Sequence, residues 1–243
     1  MDYRERVPAA PLAGLVKCFW TLDAGGRPGE WIAHEATPDG CIEVIRRRAG
    51  RSRWDSPQPE TFVAGLNDRP VRFEISGDAR FAAIRLWPWA WPLVGEASIV
   101  GLRNGWRPAN TLAAVEIAAA LPDFDAAERL LVASAGALPL GLAATGEKLA
   151  RSRTVVEMRD STGFGGRALQ RWFAARVGMP PRQYLRLLRF QDAFAGLGAE
   201  ARLADQAAEH GFADQPHMAR EFRTMTGTSA RKARRTAKGP FLN

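Results

Sequence analysis

The sequence predicts an α+β chain. A small β-barrel or sandwich with a short helical segment comes first, followed by an all-α domain of two helix-turn-helix units joined by a long helix. Three observations predict it. Regularly spaced β-rich runs separated by turn residues occupy residues 15–86. One pattern, Gly-Phe…Arg-x-Phe-x4-Gly, occurs twice, in "GFGGRALQRWF" (163–173) and "GFADQPHMAREF" (211–222), with the Arg-x-Phe ends 49 residues apart. The charge also divides sharply: residues 1–144 carry 16 Lys+Arg against 17 Asp+Glu, and residues 145–243 carry 18 against 9.

The runs "LVKCFWTL" (15–22), "EWIAH" (30–34), "CIEVI" (41–45), "TFVAG" (61–65), "VRFEI" (71–75) and "RFAAIRL" (80–86) are rich in β-branched and aromatic residues and read as strands. Between them stand "AGGRPG", "ATPDG", "LNDRP" and "SGDA", which supply the Gly, Pro, Asn and Asp that tight turns require. Strands so spaced suggest an antiparallel barrel or sandwich. "WPWAWPLVG" (87–95) then breaks the pattern, and helical runs follow at about 112–121 and 125–135, with Asp123 and Asp125 both placed to cap the second. The domains expected are a β-rich sensor, ligand-binding or dimerisation domain over 1–140, a linker over 141–152, and a DNA-binding domain over 153–237.

With 46% hydrophobic and 25% charged residues the chain reads as globular. It has no 18-residue apolar run and no apolar stretch behind the N-terminal charges, and its two cysteines, Cys18 and Cys41, make no disulfide framework. The expectation is a cytoplasmic protein with no membrane partner. Three histidines leave an enzyme little to work with, and neither a nucleophile–base arrangement nor a glycine-rich phosphate loop stands out. No catalytic residue, metal or cofactor is assigned. His34, Cys41 and Glu43 come from neighbouring strands, but their spacing matches no compact ligand pattern. Aromatics at a barrel mouth make a small-molecule pocket conceivable, and Trp31, His34, Trp87 and Trp89 are the candidates; core packing is the competing reading.

The basic C-terminal part points to a polyanion, with nucleic acid ahead of an anionic membrane. In the second copy Leu203, Ala204, Ala207 and Ala208 put an apolar stripe on a helix near 202–210, which Gly211 stops. Asp214 stands where an N-cap belongs, and Met218, Phe222 and Met225 recur at i, i+4, i+7 and must face inward. Gln215, Pro216, His217 and Arg220 are left toward solvent, the form of a recognition helix in a major groove. In the first copy Val155, Met158, Leu169 and Phe173 are the anchors, and Arg167, Gln170 and Arg171 face out. "RQYLRLLRFQDAFAGL", opened by Pro180 and Pro181, makes the connecting helix of about 15 residues, about 22 Å long. It would set the two recognition helices about one turn of B-DNA apart. Arg182, Arg186 and Arg189 on that helix either meet phosphates or pair with carboxylates.

Residues 150–235 resemble the AraC/XylS-type DNA-binding domain, in the lines "LQRWFAARVGMPPRQYLRLLRFQDA" and "LADQAAEHGFADQPHMAREFRTMTGTS". The resemblance implies a sequence-specific transcriptional regulator. Base or phosphate contacts would come from Arg167, Gln170 and Arg171 and from Gln215, Pro216, His217 and Arg220, with Phe212, Met218 and Phe222 as core. It implies double-stranded promoter DNA as partner, RNA polymerase as a further candidate, an unidentified small-molecule effector, and a monomer or homodimer. The β-rich half is similar to the family's sensor domains at "TPDGCIEVI" and "FVAGL". Three features depart from the pattern: Arg159 where Ala is usual, Gly165-Gly166 in place of a Ser cap, and "TSARKARR" without the usual Pro and aromatic. The last suggests a flexible basic tail over 231–238. The competing functions are a metal-dependent cupin-like barrel enzyme and a protein-binding adaptor, each with an attached DNA-binding domain.

Overall fold

The computed structural model describes residues 1–95, 100–196, 203–238 and 241–242. In chain order the strands are β1 (Asp2–Arg6), β2 (Val16–Asp23), β3 (Trp31–Ala36), β4 (Ile42–Ala49), β5 (Ser52–Trp54), β6 (Ser56–Pro57), β7 (Thr61–Ala64), β8 (Val71–Ser76), β9 (Arg80–Leu86), β10 (Trp106–Pro108), β11 (Ala237–Lys238) and β12 (Phe241–Leu242). They form two antiparallel sheets, ordered β1-β2-β9-β4-β7-β10 and β11-β12-β3-β8-β5-β6. The architecture is thus a sandwich, and all six strands expected from the sequence are present. Strands β1, β5, β6, β10, β11 and β12 were not anticipated.

The first sheet is buried on both faces. Cys18, Trp20, Leu22, Ile45, Phe62, Ala64, Phe81 and Ala83 point into the sandwich, where they meet Trp54, Val71 and Ile75 of the second sheet. The alternate residues Phe19, Ile42, Val44, Val63, Ala82, Ile84 and Leu86 face the other way, into a second core. Double burial explains why "RFAAIRL" is a nearly continuous apolar run rather than an alternation. Of its two charges, Arg80 is exposed at the strand's start, and Arg85 lies on the inner face directly opposite Glu43.

The second core is closed by helices α1 (Leu112–Ala120) and α2 (Phe124–Ala135) and by a 3-10 helix, Pro88–Val94. Asp123 caps α2, accepting from the Asp125 and Ala126 amides. Asp125 does not cap; it pairs with Arg6. The core then runs on without a break into the C-terminal domain. There the helices are α3 (Leu142–Arg151), α4 (Val155–Thr162), α5 (Gly166–Arg176), α6 (Pro181–Ala195), α7 (Leu203–Glu209), α8 (Gln215–Thr226) and α9 (Ala230–Thr236).

Two segments differ from expectation. Residues 141–152, expected as a linker, are mostly the helix α3, with Leu142 and Leu149 buried in the shared core. Residues 231–238 are not a free basic tail. They form α9, anchored by buried Ala230 and Ala233, and then turn into β11, whose partner β12 adds to the edge of β3. Anchoring comes from the two alanines, which the charge pattern "ARKARR" hides.

The junction between the domains is built on close approach. The Trp89 indole donates to the Gly14 carbonyl at 2.7 Å. A Cβ placed on Gly146 of α3 would fall 2.0 Å from the Trp89 Nε1. Only glycine allows α3 to lie on that ring. Gly146→Ala should therefore cost about 1–3 kcal/mol by overpacking. In a chain of this size that is a fall in melting temperature of about 2–4 °C per kcal/mol, measurable by calorimetry.

Candidate DNA interface and ligand cavity

The second repeat folds as a helix, a tight turn and a helix. Gly211, at φ +70°, ends α7. The Phe212 amide returns to the Ala207 carbonyl at 2.8 Å while its ring is buried. Asp214 caps α8, its carboxylate accepting the His217 amide at 2.6 Å. Met218, Phe222 and Met225 are buried against α6, with the Phe222 ring 5.2 Å from Phe190. Gln215, Pro216 and Arg220 are exposed. His217 is half-buried: its Nδ1 accepts the Ala213 amide at 3.3 Å and its ring meets Phe212. That tautomer leaves Nε2–H as a donor.

The first repeat has the same frame with different fastening. Gly163, at φ +73°, ends α4, and Leu169 and Phe173 are buried. Arg167, Gln170 and Arg171 are exposed. Gly165 at the N-cap offers no side-chain acceptor. Instead Trp172, on the same helix, packs against Trp89 of the N-terminal domain, centroids 5.8 Å apart. Of the arginines on α6, Arg186 pairs with Glu221 of α8 at 2.5 Å, so pairing rather than a free cation is its state here. Arg189 lies over the Phe212 ring, and Arg182 is exposed.

The four residues expected around a ligand do not come together. Trp31 is on the outer face of its sheet beneath Arg51 and Arg53. Trp87 and Trp89 are stacked on each other at the domain junction. His34 alone faces inward, stacked on Phe73. The cavity lies elsewhere, between the two sheets. It measures about 80 Å³ and is walled by residues including Trp20, Trp54, Phe62, Phe73 and Phe81, with Glu43, Ser52, Gln58 and Asn67 among them. A polar annex of about 30 Å³ shares Ala36, Glu43 and Asn67 and adds Thr37, Asp39 and Arg85. The inward-facing positions of β2, β7, β8 and β9 were the signal in the sequence for these walls. A larger open groove of about 760 Å³ lies against the outer face of β3 and β8, but Arg72–Glu35 and Arg53–Glu74 pair across it.

At the annex Arg85 is buried with each of its three nitrogens against a carboxylate. Nε lies 2.8 Å from Asp39 Oδ2, Nη2 2.8 Å from Glu43 Oε1 and Nη1 3.1 Å from Glu5 Oε1. Burial works against its charge, but Glu43 and Asp39 outweigh that and hold the guanidinium protonated. Burial raises the Glu43 carboxyl above its usual value, with Arg85 opposing. Cys18 beside it is pushed up to about 12 by burial, which leaves an unreactive thiol. His34, Cys41 and Glu43 are engaged separately, and among the described residues no three His, Cys, Asp or Glu side chains group as metal ligands.

The two loops that line the annex are tied to α6. In the β3–β4 loop, the Gly40 carbonyl accepts the Tyr184 hydroxyl at 3.2 Å and the Pro38 carbonyl accepts Gln191 Nε2 at 2.6 Å. In the β7–β8 loop, Asp68 accepts Gln183 Nε2 at 3.1 Å and is held by Asn104 at 2.7 Å and by Arg103.

Residues 159–236 match a helix-turn-helix domain family, and residues 4–104 match a domain of unknown function (DUF6597). The class is thereby a protein with an N-terminal β domain and a helix-turn-helix DNA-binding domain. That DNA-binding domain is of the AraC type, and the chain is a DNA-binding transcriptional regulator. Among solved structures, ToxT from Vibrio cholerae O395 is 10% identical over 87% of this chain and 95% of its own, with TM-score 0.45. ToxT bound to (E)-4-(8-methylnaphthalen-1-yl)but-3-enoic acid is 8% identical over 94% and 97%, with TM-score 0.44. Unsaturated fatty acid-bound ToxT is 12% identical over 84% and 90%, with TM-score 0.43. No curated protein matches the chain.

The contrast in caps is testable. Asp214→Ala should cost about 0.5–2 kcal/mol, and Gly165→Ser, which has open space and extended N-cap geometry, should be neutral or gain a few tenths of a kcal/mol. Urea unfolding of both variants checks this. The Asp68 carboxyl is also informative. Burial tends to raise its pKa, but Arg103 and Asn104 outweigh that and hold it below the usual value. Its stabilisation is then present at neutral pH and fades as pH falls through that lowered value. Asp68→Asn should flatten the stability curve on its acid side, below about pH 4, as followed by thermal melts across pH.

Proposed function

We infer that the protein is a one-component, cytoplasmic regulator that reads promoter DNA with α5 and α8 in two successive major grooves and answers to a small molecule held in its N-terminal domain. Arg167, Gln170 and Arg171 on α5, with Gln215, Pro216, His217 and Arg220 on α8, make the DNA contacts. Arg and Gln can each bond a base edge in bidentate fashion, and the His217 donor suits a base acceptor or a phosphate. Arg186, half-exposed and paired with Glu221, sets α8 against α6 and adds a phosphate contact. RNA polymerase is a further partner on this reading, and the unit on DNA is one chain or a homodimer.

One observation carries the regulatory half of the reading. Helix α6 joins the two helix-turn-helix units, and the two loops that line the annex are hydrogen-bonded to it at Gln183, Tyr184 and Gln191. Whatever shifts those loops acts on the helix that spaces the readers.

Selection from a random library should return one sequence of about 16–20 bp, bound in the nanomolar range at low salt and weakening steeply as salt rises. Arg220→Ala should cost about 1–3 kcal/mol on that sequence and relax the preference at one position, with little change on random DNA. An equal loss on both, measured by mobility shift, would remove Arg220 from base reading.

A further inference from the structure

We propose that the sandwich cavity binds a small hydrophobic amine in its protonated form, with the apolar body among Trp20, Trp54, Phe62, Phe73 and Phe81 and the ammonium against Glu43. The inference rests on the regulatory reading only for its effect on DNA binding; the site itself stands on the cavity.

The polar end of the cavity carries two acceptors left over, Glu43 Oε2 and Asn67 Oδ1, and no free cation among its lining residues. Each nitrogen of the Arg85 guanidinium already faces a carboxylate. The hydrogen bonds to Glu43, from Trp20 and from Arg85, both fall on Oε1, so Oε2 has no partner among the described residues. Asn67 Oδ1, at the same end, is buried without a hydrogen-bond partner. A ligand that fits must therefore bring donors, and an ammonium brings three.

Charge points the same way. One cation, Arg85, is set against Asp39 and Glu43, with Glu5 reaching in from β1, so the cluster has a negative excess. A carboxylate ligand would meet like charge out of water, where such repulsion is strong. Arg47 is spent on Ser52 Oγ and on the Gln58 and Pro59 carbonyls, and does not line the cavity. Among the lining residues of the apolar chamber Glu43 is the only charged side chain. The walls supply aromatic rings, which attract an ammonium within about 6 Å through their quadrupoles.

Size narrows the class. A cavity of roughly 150 Å³ admits benzene. The chamber and annex here measure about 80 Å³ and 30 Å³. They suit a ligand of about five non-hydrogen atoms without repacking, or a larger amine if the sheets part.

The test uses the full chain and three probes of one skeleton: n-butylamine, n-butanol and butyrate. Butylamine should raise the melting temperature by about 3 °C at ten times its dissociation constant, with butanol well below it and butyrate without effect. Ala64→Leu fills the chamber without removing any charge and should abolish the response. Glu43→Gln, where it folds, should bring butylamine down to the level of butanol. A butyrate response equal to that of butylamine, no response to any probe, or an undiminished response in Ala64→Leu each overturns the proposal. Affinity for the selected DNA sequence, measured on the same samples, separates the two readings. Butylamine binding with unchanged DNA affinity refutes regulation and leaves the site standing; sequence-selective DNA binding with no amine response refutes the site alone.

Discussion

A guanidinium buried between two sheets has to be compensated, and most of the long-range order in this chain follows from how Arg85 meets that demand. An unpaired charge there would cost several kcal/mol, so β9 brings Arg85 in only because β4 places Glu43 directly across from it and the β3–β4 loop folds Asp39 down onto it. Asp39 in turn accepts the Cys41 amide at 3.0 Å, which sets the path of residues 37–41. That path presents the Pro38 and Gly40 carbonyls outward to Gln191 and Tyr184. A charge inside the N-terminal domain is thus connected by short links to the helix that joins the two DNA-reading units. The coupling is concrete because each link is a hydrogen bond or ion pair with a named geometry.

The parts of this arrangement legible in the sequence are those set by local periodicity. Strands β2, β4, β8 and β9 stand out because β-branched and aromatic runs are bounded by turn residues, and α8 stands out because Asp214, Met218, Phe222 and Gly227 mark its cap, its face and its end. Missing from that reading are β1, whose "DYRER" is largely exposed and charged, and β5 and β10, which are three residues each. They exist through pairing with neighbours, a non-local effect. The four residues expected around a ligand are scattered for a related reason. Tryptophans 87 and 89 are conspicuous, but conspicuous aromatics fill the largest core, and here that core is the domain junction. The cavity walls come from ordinary alternation in several strands, visible as a cavity only once the sheets are stacked. Glu43 drew notice in the sequence as a metal candidate, yet its partner Arg85, 42 residues away, gave no sign of the pairing.

The two DNA-reading units are fastened differently, and the difference bears on how a signal would act. The second has its own cap at Asp214 and a packed anchor at Phe222, and Arg186–Glu221 clamps it to α6. It is stable on local terms and moves with α6. The first lacks a side-chain cap on α5 and is held through Trp172 against Trp89, which is itself fixed by Gly14 and covered by Gly146. Its orientation is shared between that contact and α6, whose Tyr184 ring lies 5.7 Å from Phe173 and 6.1 Å from Trp89. The Trp89 ring thus meets both Trp172 of α5 and Tyr184 of α6 at the domain junction. On the proposed reading, a shift of the annex loops would act through α6 on the spacing of the two units. Contact with two successive grooves requires a separation of about one helical turn, and that separation is what such a shift would change.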